Sequence, residues 1–315
     1  MLRRIIRISI GLAIFLLVLK VVGAQEVFQS FTNIETSFLT GALALVVLDA
    51  LLRAANWAQL LNRFVPFTIR QACSVYLAGG FYGSLLPSTV GKDAARAMTI
   101  SRRAGLDIRV STGTLVTLNL LGLGAVGALG MIAAIILIRQ DPSTFLTFGF
   151  ALSAMLVLVV CALLFTGTGK QLLALLSKTS RVWPAAQRFL EPLLSALLLL
   201  PEGRRKQLLL VGIALVNQVI RVSVAVLIAH SLGLAIDWWI LAAVAPMAAI
   251  VEMIPLSFLG IGIGQGAMVF FLDHFGVANS DAFALSAMVA SVYIGQALVG
   301  GIPVIWDSVI GPRSR

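Results

Sequence analysis

Charged residues are scarce in this chain. Of its 315 residues only 11% are Asp, Glu, Lys or Arg, whereas 59% are hydrophobic. A soluble globular protein carries about 25% charged residues, which keep its surface in water. No polar stretch here is long enough to form a separate soluble domain. The composition therefore excludes an ordinary soluble enzyme or binding module.

Cysteine and histidine are also rare, with two residues of each. Cys73 and Cys161 lie in apolar segments, where we expect buried, small hydrophobic side chains rather than a disulfide or a metal site. His230 and His274 are far apart and lack the spacing of metal ligands. The segment "TVGKD" is not a P-loop, because the first glycine and the Ser/Thr after Lys are missing. We therefore expect no metal, no cofactor, no ATP-driven engine and no enzymatic activity.

Long hydrophobic runs are abundant, and the mean hydropathy is +1.02. A run of about 20 apolar residues is long enough to span a bilayer as a helix. The sequence thus predicts an all-α, polytopic transmembrane helical bundle. Its apolar runs are residues 5–22, 38–61, 71–86, 110–138, 145–165, 208–234, 238–254, 256–272 and 282–306.

The chain is predicted to be a single integral membrane domain over residues 1–315. A basic, Leu-rich segment at 167–206 separates a first half, 1–166, from a second half, 207–315. Its mixture of leucines and basic residues is typical of amphipathic helices that lie in a membrane interface. We therefore interpret it as a cytoplasmic interfacial linker.

The net charge of +10 is carried mostly by basic residues between the hydrophobic runs. This distribution follows the positive-inside rule, so we expect no nucleic-acid partner and place both termini in the cytoplasm. Basic clusters flank the short run 71–86 on both sides, with Arg63 and Arg70 before it and Lys92 and Arg96 after it. A re-entrant hairpin that enters and leaves on the cytoplasmic face satisfies both clusters. Such a segment is tolerated only when it is buried in protein or lines a wet cavity.

Two stretches of the chain resemble each other. Both "LLPSTVGKDAARAM" and "MIPLSFLGIGIGQGAM" contain an aliphatic–Pro pair, then Gly, then Ala–Met. In the charge-derived topology they enter from opposite faces, as in an inverted repeat with a site where the broken helices meet. The alternative is chance similarity in a chain rich in Gly, Ala and Leu. Segment 238–272 is predicted to be a second re-entrant hairpin or two short spans, which charge counting does not separate.

Asp49, Arg53 and Asn56 recur at i, i+4 and i+7 and share one helix face. Charges within a span normally face the bundle interior or a wet cavity, so we predict a supporting polar face. The alternative is a structural Asp–Arg pair near the cytoplasmic surface.

Asn217 and Arg221 are spaced i, i+4 in the middle of run 208–234. A central arginine costs roughly 2.5 kcal/mol or more unless partners or water surround it. Because a guanidinium matches phosphate oxygens, both residues are predicted to bind a lipid headgroup. The alternative for Arg221 is a structural pairing with Glu252 or Asp93.

Lys92, Asp93 and Arg96 follow a break at Pro87 and Gly91. If a helix begins near Gly91, Asp93 and Arg96 lie one turn apart, and the acid favourably opposes the helix dipole. We predict that the three charges bind a headgroup. The alternative is an ordinary helical first turn with positive-inside charges.

"LLPSTVGKDAARA" resembles the Leu-Pro-x-x-x-Gly-Gly-Asp-x-x-Arg-Ala signature of the lysylphosphatidylglycerol synthase transmembrane-region family, the flippase-like membrane proteins. "IPLSFLGIGIGQGAMVFFLDHFGV" is similar to its second signature, an Ile-Pro stretch followed by Gly-x-Gly-Val-x-Glu-Gly-Ala. The matching positions are Pro87, Gly91, Asp93 and Arg96, then Pro255, Gly260, Gly262, Gly266 and Ala267.

The resemblance implies two re-entrant elements around a headgroup cavity and movement of a lipid across the bilayer. The residues assigned to the cavity or its gating are Pro87, Gly91, Glu252, Pro255, Gly260, Gly262 and Gln265. Lys92 replaces the usual second Gly, Gln265 stands where Glu is common, and Gly264 stands where a side chain is common. The aminoacyl-transfer domain of the synthases is absent from the sequence, so we expect no synthesis of lysyl-lipid.

These observations favour a lipid transporter of a bacterial inner membrane that binds its lipid through Lys92, Arg96 and Arg221. The lipid would be an anionic phospholipid, a lipid-linked sugar or a hopanoid-type lipid. The alternatives are a secondary transporter of a small anionic solute and a non-transporting membrane partner of a glycosyltransferase. The expected partners are the lipid and a glycosyltransferase or lipid-biosynthesis enzyme.

Overall fold

A computed structural model describes residues 34–84, 89–140, 143–165, 171, 203–252 and 263–302. All regular structure in these residues is helical, which confirms the predicted all-α class. The helices are α1 (Thr36–Leu61), α2 (Ile69–Ser84), α3 (Thr89–Ala104), α4 (Ile108–Gln140), α5 (Thr144–Phe165), α6 (Arg204–Ser231), α7 (Trp238–Glu252), α8 (Ile263–Asp273) and α9 (Asn279–Val299).

Five of these helices, α1, α4, α5, α6 and α9, are long and apolar enough to cross a membrane. Large apolar side chains point outward from them, including Phe148 and Leu158, which are 61% and 69% exposed. Such outward side chains are suited to contact with lipid tails. The chain is therefore a multi-pass membrane protein, as predicted. The predicted first run, 5–22, and most of the linker 167–206 lie outside the described residues.

The core joins the two halves of the sequence. Helix α1 packs along α6, and α4 contacts α5, α6 and α7. The Trp57 side chain of α1 is fully buried, and its indole Nε1 donates a 3.0 Å hydrogen bond to Thr114 Oγ1 of α4. Buried tryptophan needs such a partner for its N–H. Contacts among α1, α4 and α6 therefore form the frame that holds the shorter helices.

Helices α2 and α3 pack against each other as an antiparallel pair. Gly79 faces Arg96, whereas Gly83, four residues later, faces Lys92, four residues earlier. A Cβ at Gly79 would lie 2.7 Å from Arg96 Cα, and one at Gly83 would overlap the Lys92 backbone. The two glycines therefore allow close contact of the helix backbones. The re-entrant course of this pair through a membrane stays a prediction.

Helices α7 and α8 form a second contacting pair. They contain 15 and 11 residues, fewer than the roughly 20 that a membrane span requires. Pro246 lies inside α7 and packs on Gly130 of α4. The inverted repeat, and the choice between a hairpin and two short spans, stay predictions.

Both cysteines are free. Cys73 is partly buried, but Cys161 is exposed, so the prediction of a buried side chain is wrong for Cys161. Cys161 lies on α5, whose outward face carries many exposed apolar residues. A small apolar side chain on such a face contacts lipid and need not be buried in protein.

Candidate functional site

A cavity of about 450 Å³ lies among the helices, and every helix except α5 contributes to its lining. Both short pairs, α2–α3 and α7–α8, form part of its wall. Alanines of α7 and α9, together with Leu241, Val289 and Ile294, provide much of the apolar part. The described charged residues of the lining are Asp49, Arg53, Lys92, Asp93, Arg96, Arg221 and Glu252.

The structure brings together most of the predicted site residues. Those seven charged residues and Gln265 come from α1, α3, α6, α7 and α8, yet all of them line this one cavity. In the sequence they span more than 200 positions, from Asp49 to Gln265. Sequence reasoning had assigned them to three separate motifs and one supporting face.

Asn56 and Asn217 were predicted site residues, but they do not line the cavity. Asn56 Nδ2 donates a 3.3 Å hydrogen bond to the Leu210 carbonyl. Asn217 Nδ2 donates to Asp49 Oδ1 at 2.8 Å and to the Asp49 carbonyl at 3.1 Å. Both amides thus connect α1 to α6, and the polar face of α1 divides between the helix interface and the cavity.

Only some of the Pro and Gly residues predicted to line or gate the cavity lie in the described part of the chain. Gly91 lies in the first turn of α3, which begins at Thr89. Pro87, Pro255, Gly260 and Gly262 lie outside the described residues, and their predicted roles in the cavity or its gating stay predictions.

The Arg96 side chain contacts residues of both α2 and α3. Its Nη1 lies 3.0 Å from Asp93 Oδ1, one turn earlier on α3, and its Nε donates a 3.4 Å hydrogen bond to the Tyr76 carbonyl of α2. The guanidinium carbon also lies 3.9 Å from the centroid of the Tyr76 ring. These contacts tie α3 to α2. Asp93 therefore pairs with Arg96 and not with Arg221.

Asn119 is a cavity residue that sequence reasoning missed. Its Nδ2 donates a 2.6 Å hydrogen bond to Asp93 Oδ2, and its Oδ1 accepts one of 3.3 Å from Arg53 Nη2. The amide thus links α1 and α3 through α4. An asparagine in the middle of a Gly-rich apolar run was the available signal, because an amide at membrane depth needs partners. Arg53 bonds to Asn119, whereas Asp49 bonds to Asn217. The alternative of a structural Asp49–Arg53 pair is therefore wrong.

Arg221 has a different environment from Arg96. Its guanidinium carbon lies 5.6 Å from the centroid of the Tyr293 ring, a second cavity residue that sequence reasoning missed. The Arg221 side chain is exposed to the cavity and interacts electrostatically with Asp49 and Glu252. A guanidinium in this position presents hydrogen-bond donors to the open space.

Lys92 and Glu252 also face the cavity. Neither side chain makes a hydrogen bond to another residue in the described part of the chain, and the two interact electrostatically with each other and with Arg221. The wall therefore has two parts: a hydrogen-bonded network around Arg96, and a set of charges around Arg221 that faces the space.

The sequence model of one family, described as the lysylphosphatidylglycerol synthase TM region, matches residues 4–300. The chain belongs to this family. The match includes both sequence signatures and confirms the resemblance drawn from them. No curated protein and no solved structure matches the chain.

All three departures of this lysylphosphatidylglycerol synthase TM region protein from the family signatures lie at the cavity. Lys92 packs on Gly83 of α2. Gln265 is 3% exposed and lies in α8. Gly264 faces Glu252, since a Cβ at position 264 would lie 2.9 Å from Glu252 Oε1. The three positions at which the sequence departs from the two quoted signatures therefore all belong to the lining of the cavity.

Proposed function

We propose that the chain transports a lipid across the bilayer and that the cavity receives the anionic part of the headgroup. The observation that carries this proposal is the placement of Arg221 and Lys92. Both face an internal space of about 450 Å³, whereas Arg96 is occupied by Asp93 and Tyr76. Guanidinium and ammonium groups are the side chains that bind phosphate most strongly.

The size of the cavity supports a headgroup rather than a whole lipid. Ligand sites commonly measure about 300–1,000 Å³, so a cavity near 450 Å³ accommodates a phosphate with a small substituent. The acyl chains would remain in the bilayer. A charged headgroup cannot cross hydrocarbon unaided, and charges placed at membrane depth mark substrate paths.

The proposal includes a topology. The α2–α3 and α7–α8 pairs would enter the bacterial inner membrane from opposite faces as an inverted repeat, with both termini in the cytoplasm. Two opposed short pairs that share one cavity suit alternating access to the two leaflets. With Cys73 and Cys161 replaced by Ser, a cysteine introduced at exposed Arg109 should then react with membrane-impermeant reagents only from the cytoplasmic side.

A reconstitution assay tests the proposal. The full-length protein is placed in liposomes with fluorescent phosphatidylglycerol, and dithionite quenching reports how fast the lipid changes leaflet. Arg221→Ala and Lys92→Ala should each lower the rate at least tenfold, whereas Arg109→Ala, outside the cavity, should leave it unchanged. Absence of translocation for phosphatidylglycerol, a lipid-linked sugar and a hopanoid alike would exclude lipid transport.

A small anionic solute is the second candidate, because the same volume and cations also suit a free anion. In the same liposomes, uptake of an anion that depends on an ion gradient, without movement of lipid, would favour this secondary transporter. If neither cargo moves and a glycosyltransferase co-purifies stably, the chain is a membrane partner of that enzyme.

A further inference from the structure

Glu252 is the last described residue of α7, and its side chain is exposed to the cavity. It interacts electrostatically with Arg221 of α6 and with Lys92 of α3. Within the described residues it makes no hydrogen bond. Its carboxylate thus lines the same cavity as the two cations to which the proposed function assigns the phosphate and is influenced by both.

The other two carboxylates of the cavity are already engaged. Asp93 binds Arg96 and Asn119, with oxygen distances of 3.0 and 2.6 Å. Asp49 accepts a 2.8 Å hydrogen bond from Asn217 and is only 4% exposed. Among the described carboxylates of the lining, Glu252 is therefore the one whose side chain makes no hydrogen bond to another described residue.

Gly264 of α8 provides the space that the Glu252 side chain occupies. A Cβ at position 264 would lie 2.9 Å from Glu252 Oε1 and 3.3 Å from its Cγ. The first is shorter than a normal carbon–oxygen contact and the second is shorter than a normal carbon–carbon contact, so any larger residue would push the carboxylate aside. The neighbouring residue, Gln265, lines the cavity without a charge.

We propose that Glu252 is a built-in counter-ion, which neutralises Arg221 and Lys92 before a ligand binds and is displaced when a phosphate-bearing headgroup binds them. The choice of a phosphate as the ligand rests on the proposed function. Lipid headgroups and free phosphate esters share this chemistry. Glu252 competes with the phosphate for the same two cations. Its negative charge also opposes the incoming anion directly.

Such competition suits a transporter. Two cations that face a partly desolvated cavity would hold a phosphate tightly, because electrostatic attraction grows as the local dielectric falls. A site must bind strongly enough to admit its cargo and weakly enough to release it. The carboxylate would return to the cations as the phosphate leaves and so limit the affinity.

Isothermal titration calorimetry tests the proposal on the full-length protein in nanodiscs at fixed salt. The two probes are glycerol 1-phosphate and short-chain dihexanoyl phosphatidylglycerol. Removing a competing charge should tighten binding of both probes to Glu252→Gln by about tenfold, equivalent to roughly 1.4 kcal/mol. Glu35→Gln is the matched control: it makes the same change at an exposed carboxylate outside the cavity and should change nothing.

Damage to the fold lowers affinity, so a gain of affinity identifies the counter-ion role. Adding Arg221→Ala to Glu252→Gln should abolish the gain. If Glu252→Gln fails to fold, Glu252→Ala serves, because it removes the same charge. Equal or weaker binding by the folded variant, or no binding of either probe, overturns the proposal.

The outcomes also separate this inference from lipid transport. Tighter glycerol 1-phosphate binding by Glu252→Gln, without lipid translocation by the unmodified protein, keeps the counter-ion and rejects lipid as the cargo. Lipid translocation without any gain in affinity rejects the counter-ion and keeps the transporter. Tightening for the phospholipid but not for glycerol 1-phosphate identifies the ligand as a lipid.

Discussion

Asn119 Nδ2 donates a 2.6 Å hydrogen bond to Asp93 Oδ2 and so joins the long helix α4 to the short helix α3. The same carboxylate binds Arg96 through its other oxygen. Asn119 also accepts a hydrogen bond from Arg53. One amide therefore holds an acid and a base from different helices, which fixes the position of the α2–α3 pair against the spanning helices.

Replacing this amide should destabilise the fold. Asn119→Leu leaves an oxygen of Asp93 and a donor of Arg53 without their partner, which costs about 1–3 kcal/mol for an unsatisfied buried group. We expect a lower midpoint of thermal unfolding in detergent. The control is Thr112→Val on the same helix, whose exposed hydroxyl bonds only the Ile108 carbonyl. Equal midpoints for the two variants would contradict the role given to Asn119.

The contact between α2 and α3 predicts a position-specific effect of added methyl groups. A Cβ at Gly83 would overlap the backbone of Lys92, whereas one at Gly80 would meet only Arg96 Nη2 at 3.5 Å, an ordinary contact. Gly83→Ala should therefore lose more than the 1–3 kcal/mol typical of overpacking, because a backbone cannot move aside. Gly80→Ala is the matched control and should keep the stability of the unmodified protein. The yield of monodisperse protein and its unfolding midpoint measure both variants.

The two buried asparagines of the α1–α6 interface should differ in energy. Asn217 donates to the Asp49 carboxylate, and Asn56 donates to a backbone carbonyl. Hydrogen bonds to charged groups contribute about 1.5–3 kcal/mol and neutral ones about 0.5–1.5 kcal/mol. Asn217→Ala should therefore destabilise the protein more than Asn56→Ala does. Pairing Asn217→Ala with Asp49→Ala should show coupling in a double-mutant cycle, and additive effects would argue against this bond.

Much of the site was predictable because a charge within a membrane span must face protein or water. That rule applied to Asp49, Arg53 and Arg221, whereas the α3 charges were assigned through the predicted re-entrant hairpin, and all of them line one cavity. The pairing of those charges was not predictable. The spacing of Asp93 and Arg96 on α3 indicated their contact, but the link through Asn119 depends on how α4 packs beside α3, which local sequence does not specify.

Asn217 and Arg221 show the same limit of prediction from sequence, because they contact different helices. One helical turn separates them, yet Asn217 contacts α1 while Arg221 lies beside Tyr293 of α9. A shared helix face spans about 100°, wide enough to contact two neighbouring helices at once. The sequence therefore identified the polar residues of α6 but not the neighbour that each one contacts.

Replacing Arg96 should mainly lower stability, whereas replacing Arg221 should mainly weaken anion binding. Arg96 makes an ion pair, a hydrogen bond to a carbonyl and a cation–π contact, so Arg96→Ala should lower stability by about 1.5–3 kcal/mol for the charged hydrogen bonds alone. Arg221 faces the cavity, and Arg221→Ala removes both its attraction to Glu252 and Asp49 and its repulsion of Lys92, which offset each other. We expect its unfolding midpoint to stay near that of the unmodified protein.

Binding of glycerol 1-phosphate should show the opposite order. Arg221→Ala should weaken it at least tenfold, because a desolvated guanidinium contributes more than 1.4 kcal/mol to phosphate binding. Arg221→Lys should recover part of the affinity, since the charge returns without the planar fork. Midpoints from thermal unfolding and affinities from calorimetry, taken on the same preparations, distinguish the two roles. If Arg96→Ala abolished anion binding at an unchanged midpoint, Arg96 and not Arg221 would be the phosphate ligand, and the assignment of the two arginines would be reversed.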